Sequence, residues 1–125
     1  MLRGAFATVV VLALTLSAQA APLLRVGECT RIKDVGHRLE DGVTHVQMPD
    51  SGSAVTFANG LYQVSYDEMA AIHRAHRGDP VLICLVSLPT DCPKGDDRGK
   101  IYKTTDLRTH RSWTLPDAEH SCGGA

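Results

Sequence analysis

The chain has 125 residues, of which 43% are hydrophobic, 22% charged and 5% aromatic, with a formal net charge of -1 at pH 7. That length suits one ordinary domain and is too short for two. The composition excludes a disordered charged tail, a collagen-like repeat and a polytopic membrane protein, and the missing basic excess argues against a dedicated nucleic-acid binder.

Residues 1–20 read MLRGAFATVVVLALTLSAQA. Arg3 supplies positive charge, residues 5–17 are apolar apart from Thr8, Thr15 and Ser17, and Ala18-Gln19-Ala20 places small residues where a signal peptidase reads. These are the three parts of a secretory signal peptide. The apolar stretch falls short of the roughly 20 residues that a membrane-spanning helix needs. A buried N-terminal helix is the competing reading. The expectation is a cleaved leader at 1–20 and a single exported α+β domain at 21–125. No cysteine directly follows the small residues to carry a lipid, so the product is expected to be soluble. Removing the leader leaves 105 residues with 12 basic and 14 acidic side chains, and 38% of what remains is apolar.

Cys29, Cys84, Cys92 and Cys122 all lie beyond the leader. An even count behind an export signal reads as two disulfides. The expected pairs are Cys84–Cys92, clipping the turn at Pro89, and Cys29–Cys122, tying the N-terminal segment to the tail. Two free thiols per chain would overturn this argument for export. A zinc site fails on spacing, since no C-x2-C is present.

In chain order, Leu24, Val26, Ile32 and Val35 suggest one or two short strands. Val43 and Val46, around His45, suggest another before the turn at 48–53. Asn59-Gly60 predicts a two-residue hairpin turn, because both residues adopt positive φ readily. Pairing outward sets Phe57 against Tyr62 and Val55 against Val64, with Val55, Phe57, Tyr62, Val64 and Tyr66 on one face and Gln63 on the other. Ser65-Tyr66-Asp67-Glu68 has the spacing of a capping box, with Asp67 a rival cap. Met69, Ile72 and Ala75 or His76 then give a helical stripe that Gly78 and Pro80 end. Val81 to Leu88 reads as a central strand covered on both faces. A charged loop of about eleven residues follows, then strands at 100–105 and 111–115 and an irregular tail. The sum is an α+β fold: a small, mainly antiparallel sheet of about six short strands with one helix packed on it.

Several residues have side chains suited to chemistry. His73 and His76, three apart on the predicted helix, have metal-ligand spacing, or simply form its polar flank. Asp117, Glu119 and His120, with His110 upstream, supply acid–base ingredients, or a solvated tail. Lys94-Gly95-Asp96-Asp97-Arg98-Gly99 is a charged loop without the ligand alternation of a calcium loop, and its carboxylates also suit turn capping. Trp113 is the only tryptophan, a residue type that fills cores and anchors interfaces. No G-x-S-x-G, phosphate loop, H-E-x-x-H or dinucleotide fingerprint occurs. Ile101-Tyr102-Lys103-Thr104-Thr105-Asp106 resembles a strand segment of barnase-like ribonucleases. Leu107 stands where that family has its catalytic histidine, and the order of elements differs, so the resemblance assigns no family.

The leading expectation is a small exported, disulfide-stabilised binding or inhibitor-like module. It is non-enzymatic and acts on a protein or cell-envelope component in the periplasm or outside the cell. The expected binding residues are Asp96, Asp97, Arg98, Arg108 and Trp113, with no cofactor, metal, nucleic acid or membrane span in the mature form. The alternative is a small secreted hydrolase, phosphodiesterase or ribonuclease-like, using His110 or His120 with Glu119 and Arg98 or Arg108. A third reading is metal binding through His73 and His76.

Overall fold

A computed structural model describes residues 27–124. The leader expected at 1–20 and the strand residues Leu24 and Val26 lie outside them. The elements are β1 (Gly27–His37), β2 (Ser53–Phe57), β3 (Tyr62–Ser65), α1 (Ala70–His73), β4 (Pro80–Ser87), β5 (Ile101–Asp106) and β6 (Ser112–Pro116). All pairings are antiparallel, in one sheet of order β3-β2-β1-β4-β5-β6 that curls into a half-barrel. Antiparallel strands plus one short helix match the expected class; the details differ.

β1 is one long strand serving two ladders. Its first half pairs with β4 and its second half with β2, with an irregularity between Ile32 and Asp34. An extra residue at such a point bends the strand and sharpens its twist. That bend turns β2 and β3 back over the sheet and brings β3 toward β6. The buried core is Ile32, Val55, Phe57, Ile72, Ala75, Val81, Ile83, Trp113 and Leu115. α1 packs against β1, β2 and β6 with Ile72 fully buried.

The hairpin forms, but one residue out of the expected register. Val55 lies opposite Gln63 and Thr56 opposite Tyr62. The turn uses three residues, 58–60: Gly60 N–H donates to Phe57 O at 3.0 Å, Phe57 N–H to Leu61 O at 2.9 Å, and Gly60 takes φ +89°. A type I turn followed by a left-handed glycine is the next common hairpin after the two-residue kind. The slip sends Gln63 inward. There its amide nitrogen donates to Tyr102 O and Leu115 O at 2.9 and 3.1 Å, and its oxygen accepts from Thr104 Oγ1 and Trp113 Nε1 at 2.6 and 2.9 Å. One side chain of β3 thus fastens that edge to β5 and β6.

Three further expectations are corrected. β4 is interior to the sheet but covered on one face only: Val81 and Ile83 are buried, while Val86 is 55% exposed. The helix is four residues long, and no side chain from its own segment caps it. One disulfide forms, Cys92–Cys122, and Cys29 and Cys84 are free. The topology gives the reason. Ser87 pairs with Ile101 and Ile101 with Pro116, so the loop after β4 and the tail after β6 leave the sheet at the same end. Cys84 stays in its ladder opposite Gly27, and Cys29 stays opposite Leu82.

Candidate functional site

The β1–β2 ladder sets Ser53 opposite His37 at the end of β1. Ser65 Oγ accepts the Asp67 N–H at 3.0 Å, a local turn that replaces the expected capping box. Glu68 is therefore free to leave the helix start and point at the end of β1. The amide of the N-cap residue Met69 is instead held from β2, donating to Ser53 Oγ at 2.7 Å.

Glu68 lies between two imidazoles. Its Oε1 is 3.2 Å from His37 Nδ1, and its Oε2 is 2.5 Å from His73 Nε2. The two rings are 4.9 Å apart between centroids. Burial opposes ionisation of Glu68, but the His37 hydrogen bond, the Gly52 N–H and the charges of both histidines outweigh it and lower its pKa. One donor atom from each of His37, Glu68 and His73 falls within 4.8 Å of the other two. Ser53 Oγ also approaches His73 Nε2, at 2.8 Å. This is not a hydrolytic triad, because serine and carboxylate contact the same ring nitrogen, whereas such a relay uses opposite ones. Ser53 is also 0% exposed.

His37 leads into an arm, residues 39–50, in which every residue is exposed. Asp41 Oδ1 accepts from the Val43 and Thr44 amides at 2.9 and 2.7 Å and from Thr44 Oγ1 at 2.9 Å. These bonds, the Thr44 amide first among them, lower the Asp41 pKa. Asp41 N–H donates to Val46 O, Met48 N–H to Leu39 O, and Glu40 bridges to Gln47. At the root, Arg38 Nε donates to Ser51 O at 2.7 Å, Gln47 Oε1 accepts the His37 N–H at 2.7 Å, and Arg38 lies over the Tyr66 ring. The arm is thus closed on itself. Yet it holds Val43, Val46, Met48 and Leu39 in solvent, at 87, 62, 46 and 38% exposure. The strand expected around Val43 and Val46 is this arm.

The residues singled out from the sequence lie elsewhere. Trp113 is buried, with its indole N–H on Gln63. Arg108 pairs with buried Asp79 at 2.7 Å and donates to Arg74 O. The Arg108 bond holds the Asp79 carboxyl at about 2 against the effect of burial, helped by the His76 amide and Asp106. Arg98 forks onto Asp96 at 2.8 and 2.9 Å, and Asp97 pairs with Lys100. Asp96 also accepts the Gly123 N–H, and Asp117 accepts the amides of Gly99 and Lys100, so these carboxylates fasten the tail beside the disulfide. His110, at φ +57°, precedes β6 and His120 follows it, both exposed. The five residues of β6, about 13 Å end to end, run between them. Glu119 pairs with Arg38 at 3.2 Å rather than with a histidine. Among the described residues, the set named for a hydrolase is therefore not brought together. His73 joins His37, not His76, whose backbone amide is held by Asp79.

A cleft of about 790 Å³ opens at the end of the half-barrel away from α1, between Leu61, Ile83, Leu85 and Tyr102. Its rim carries Glu28, Lys100 and Asp117. No protein-family model matches the chain, and no curated protein or solved structure does. No sequence motif marks the His37–Glu68–His73 cluster. Its members come from the end of β1, the connection after β3 and α1, and they meet through the pairing of His37 with Ser53 and the bond from Met69 to Ser53.

Proposed function

We propose that the mature chain is an exported, non-enzymatic binding module. Its arm at 39–50 inserts into an apolar cleft with a basic rim on a partner protein of the cell envelope or exterior. The observation that carries this reading is the arm: four apolar side chains held in solvent by a loop closed on its own hydrogen bonds. Large apolar side chains gathered in solvent on one short segment are what an interaction site offers a partner. A loop fixed before binding loses little further entropy on contact, which favours inhibitor-like insertion. Residues 39–50 contain Glu40, Asp41 and Asp50 and no lysine or arginine, so the complementary rim is basic. Asp96, Asp97 and Arg98 stay secondary in this reading, since their charges already serve internal pairs. Export rests on the leader-like residues 1–20 alone; the cysteines no longer argue for it, since only Cys92–Cys122 pairs while Cys29 and Cys84 are free.

The test is capture from envelope and medium fractions with the mature chain and with Val43→Asp/Val46→Asp, followed by binding of the purified pair. The expected result is one protein retained by the wild-type chain alone, with Kd raised about tenfold or more in the variant and affinity falling as salt rises. Equal retention by both proteins would remove the arm from the reading. Absence of a partner, together with turnover of RNA or a generic phosphodiester, would favour the hydrolase instead. Cell fractionation with N-terminal sequencing checks export, and a product starting at Ala21 is expected.

A further inference from the structure

We infer that His37, Glu68 and His73 form a binding site for a divalent transition-metal ion of the zinc class. This inference goes beyond the binding role and does not depend on it.

The donors fit in kind. Two imidazoles and one carboxylate suit zinc, copper, nickel or iron, whereas calcium and magnesium require shells of oxygen. Three protein ligands with positions left open are the pattern of reactive or exchangeable zinc sites rather than closed structural ones.

They also fit in spacing. Donors about 2.0–2.1 Å from a tetrahedral zinc lie about 3.4 Å from one another. Here the His37 Nδ1–Glu68 Oε1 and His73 Nε2–Glu68 Oε2 separations are 3.2 and 2.5 Å, and all three donors lie within 4.8 Å. The separations bracket the tetrahedral value, and binding would exchange the Ser53 Oγ contact at His73 Nε2, now 2.8 Å, for the ion. Each imidazole–carboxylate contact now needs a proton between its partners. To bind a divalent ion, each imidazole turns the lone pair of that nitrogen to the metal and carries its proton on the other ring nitrogen.

The donors are also held in place. His37 ends β1 with its backbone amide on Gln47, and Glu68 receives the Gly52 N–H at 3.4 Å. His73 closes α1, whose N-cap residue Met69 is held by buried Ser53. The site is reachable, since the side chains of His37, Glu68 and His73 are 27, 38 and 29% exposed and both histidines line a groove of about 460 Å³. Because His37 directly precedes the arm, a bound ion would also tie the arm's root to α1.

The experiment is zinc titration of the full mature chain by calorimetry and by competition with a chromophoric chelator. One zinc per chain is expected. His37→Ala, His73→Ala and Glu68→Gln should each weaken binding about tenfold or more, while His45→Ala, His76→Ala and Cys29→Ser/Cys84→Ser should leave it unchanged. Should a ligand variant fail to fold, the wild-type chain still decides. Added zinc should move the His37 and His73 ring signals in NMR spectra and leave those of His110 and His120 in place. Cobalt should give a visible spectrum without a thiolate charge-transfer band. Binding lost only in the cysteine variant, binding no weaker in the three ligand variants, or no stoichiometric binding at all would each overturn the inference.

Discussion

Gln63 shows how one side chain decides which face of β3 turns inward. It is fully buried and meets four partners on β5 and β6. Replacing it with leucine keeps most of the volume but strands the Trp113 N–H and Thr104 hydroxyl in the core. Each stranded buried group costs about 1–3 kcal/mol. Gln63→Leu should therefore lower unfolding free energy by about 3–5 kcal/mol, read from urea midpoints, and shift Trp113 emission to the red as the seam between β3 and β6 loosens. A loss below about 1 kcal/mol would show that apolar packing, not this amide, closes the half-barrel. The same residue explains why the hairpin register was illegible. Alternation sorts apolar from polar, and a glutamine whose every hydrogen bond is met inside the core reads as an outward residue. Arg108 and Trp113 misled for a related reason: their partners Asp79 and Gln63 are 29 and 50 residues away in sequence.

Whole elements were legible where local chemistry decides them. Asn59-Gly60 marks a turn in any register, Pro80 and Pro89 bracket β4, and Trp113 and Leu115 alternate inward along β6 as their spacing suggests. Elements whose form depends on distant groups were not. α1 begins only at Ala70, because Ser53 of β2 holds the amide of its N-cap residue Met69 and Glu68 turns to the histidines. The arm looks like strand residues in the sequence, yet it pairs only with itself through Glu40 and Gln47. Where it rejoins the sheet, Gly52 takes φ +110°, and a Cβ there would sit 2.1 Å from Ser65 O. Both the backbone angle and the neighbouring main chain forbid a side chain. Gly52→Ala should cost about 2–4 kcal/mol by displacing β3 or the arm's root. Gly60→Ala, which has the same handedness but open space around it, should cost less. Equal urea midpoints for the two variants would show that backbone conformation alone sets the penalty.

At the scale of the molecule, the half-barrel leaves the loop after β4 and the tail after β6 to be held by something other than the sheet. Residues 88–100 and 117–124 contain no helix or strand, and their apolar content is small. They are fastened instead by Cys92–Cys122, by Arg98 on Asp96 and Gly124 O, and by Asp117 on two backbone amides. The exposed ion pairs among these are worth little in water, so the covalent link carries most of the constraint. The cysteine count showed that a staple exists, but the pairing depends on β5 and β6 returning the tail to the loop after β4, a long-range consequence no spacing encodes. Closing a loop across a sequence separation of 30 restricts the unfolded chain by about 3–4 kcal/mol in the chain-entropy view. Cys92→Ser/Cys122→Ser should therefore unfold at a lower urea midpoint by that order, and reductant should bring the wild-type chain to the same value. Cys29→Ser/Cys84→Ser should stay within about 1 kcal/mol, since neither thiol is cross-linked. Alkylation of the unreduced protein should label two thiols, at Cys29 and Cys84. Labelling of none would mean that these two, diagonal neighbours on one face of the β1–β4 ladder, are joined as well, and the predicted insensitivity of their double variant would then fail with it.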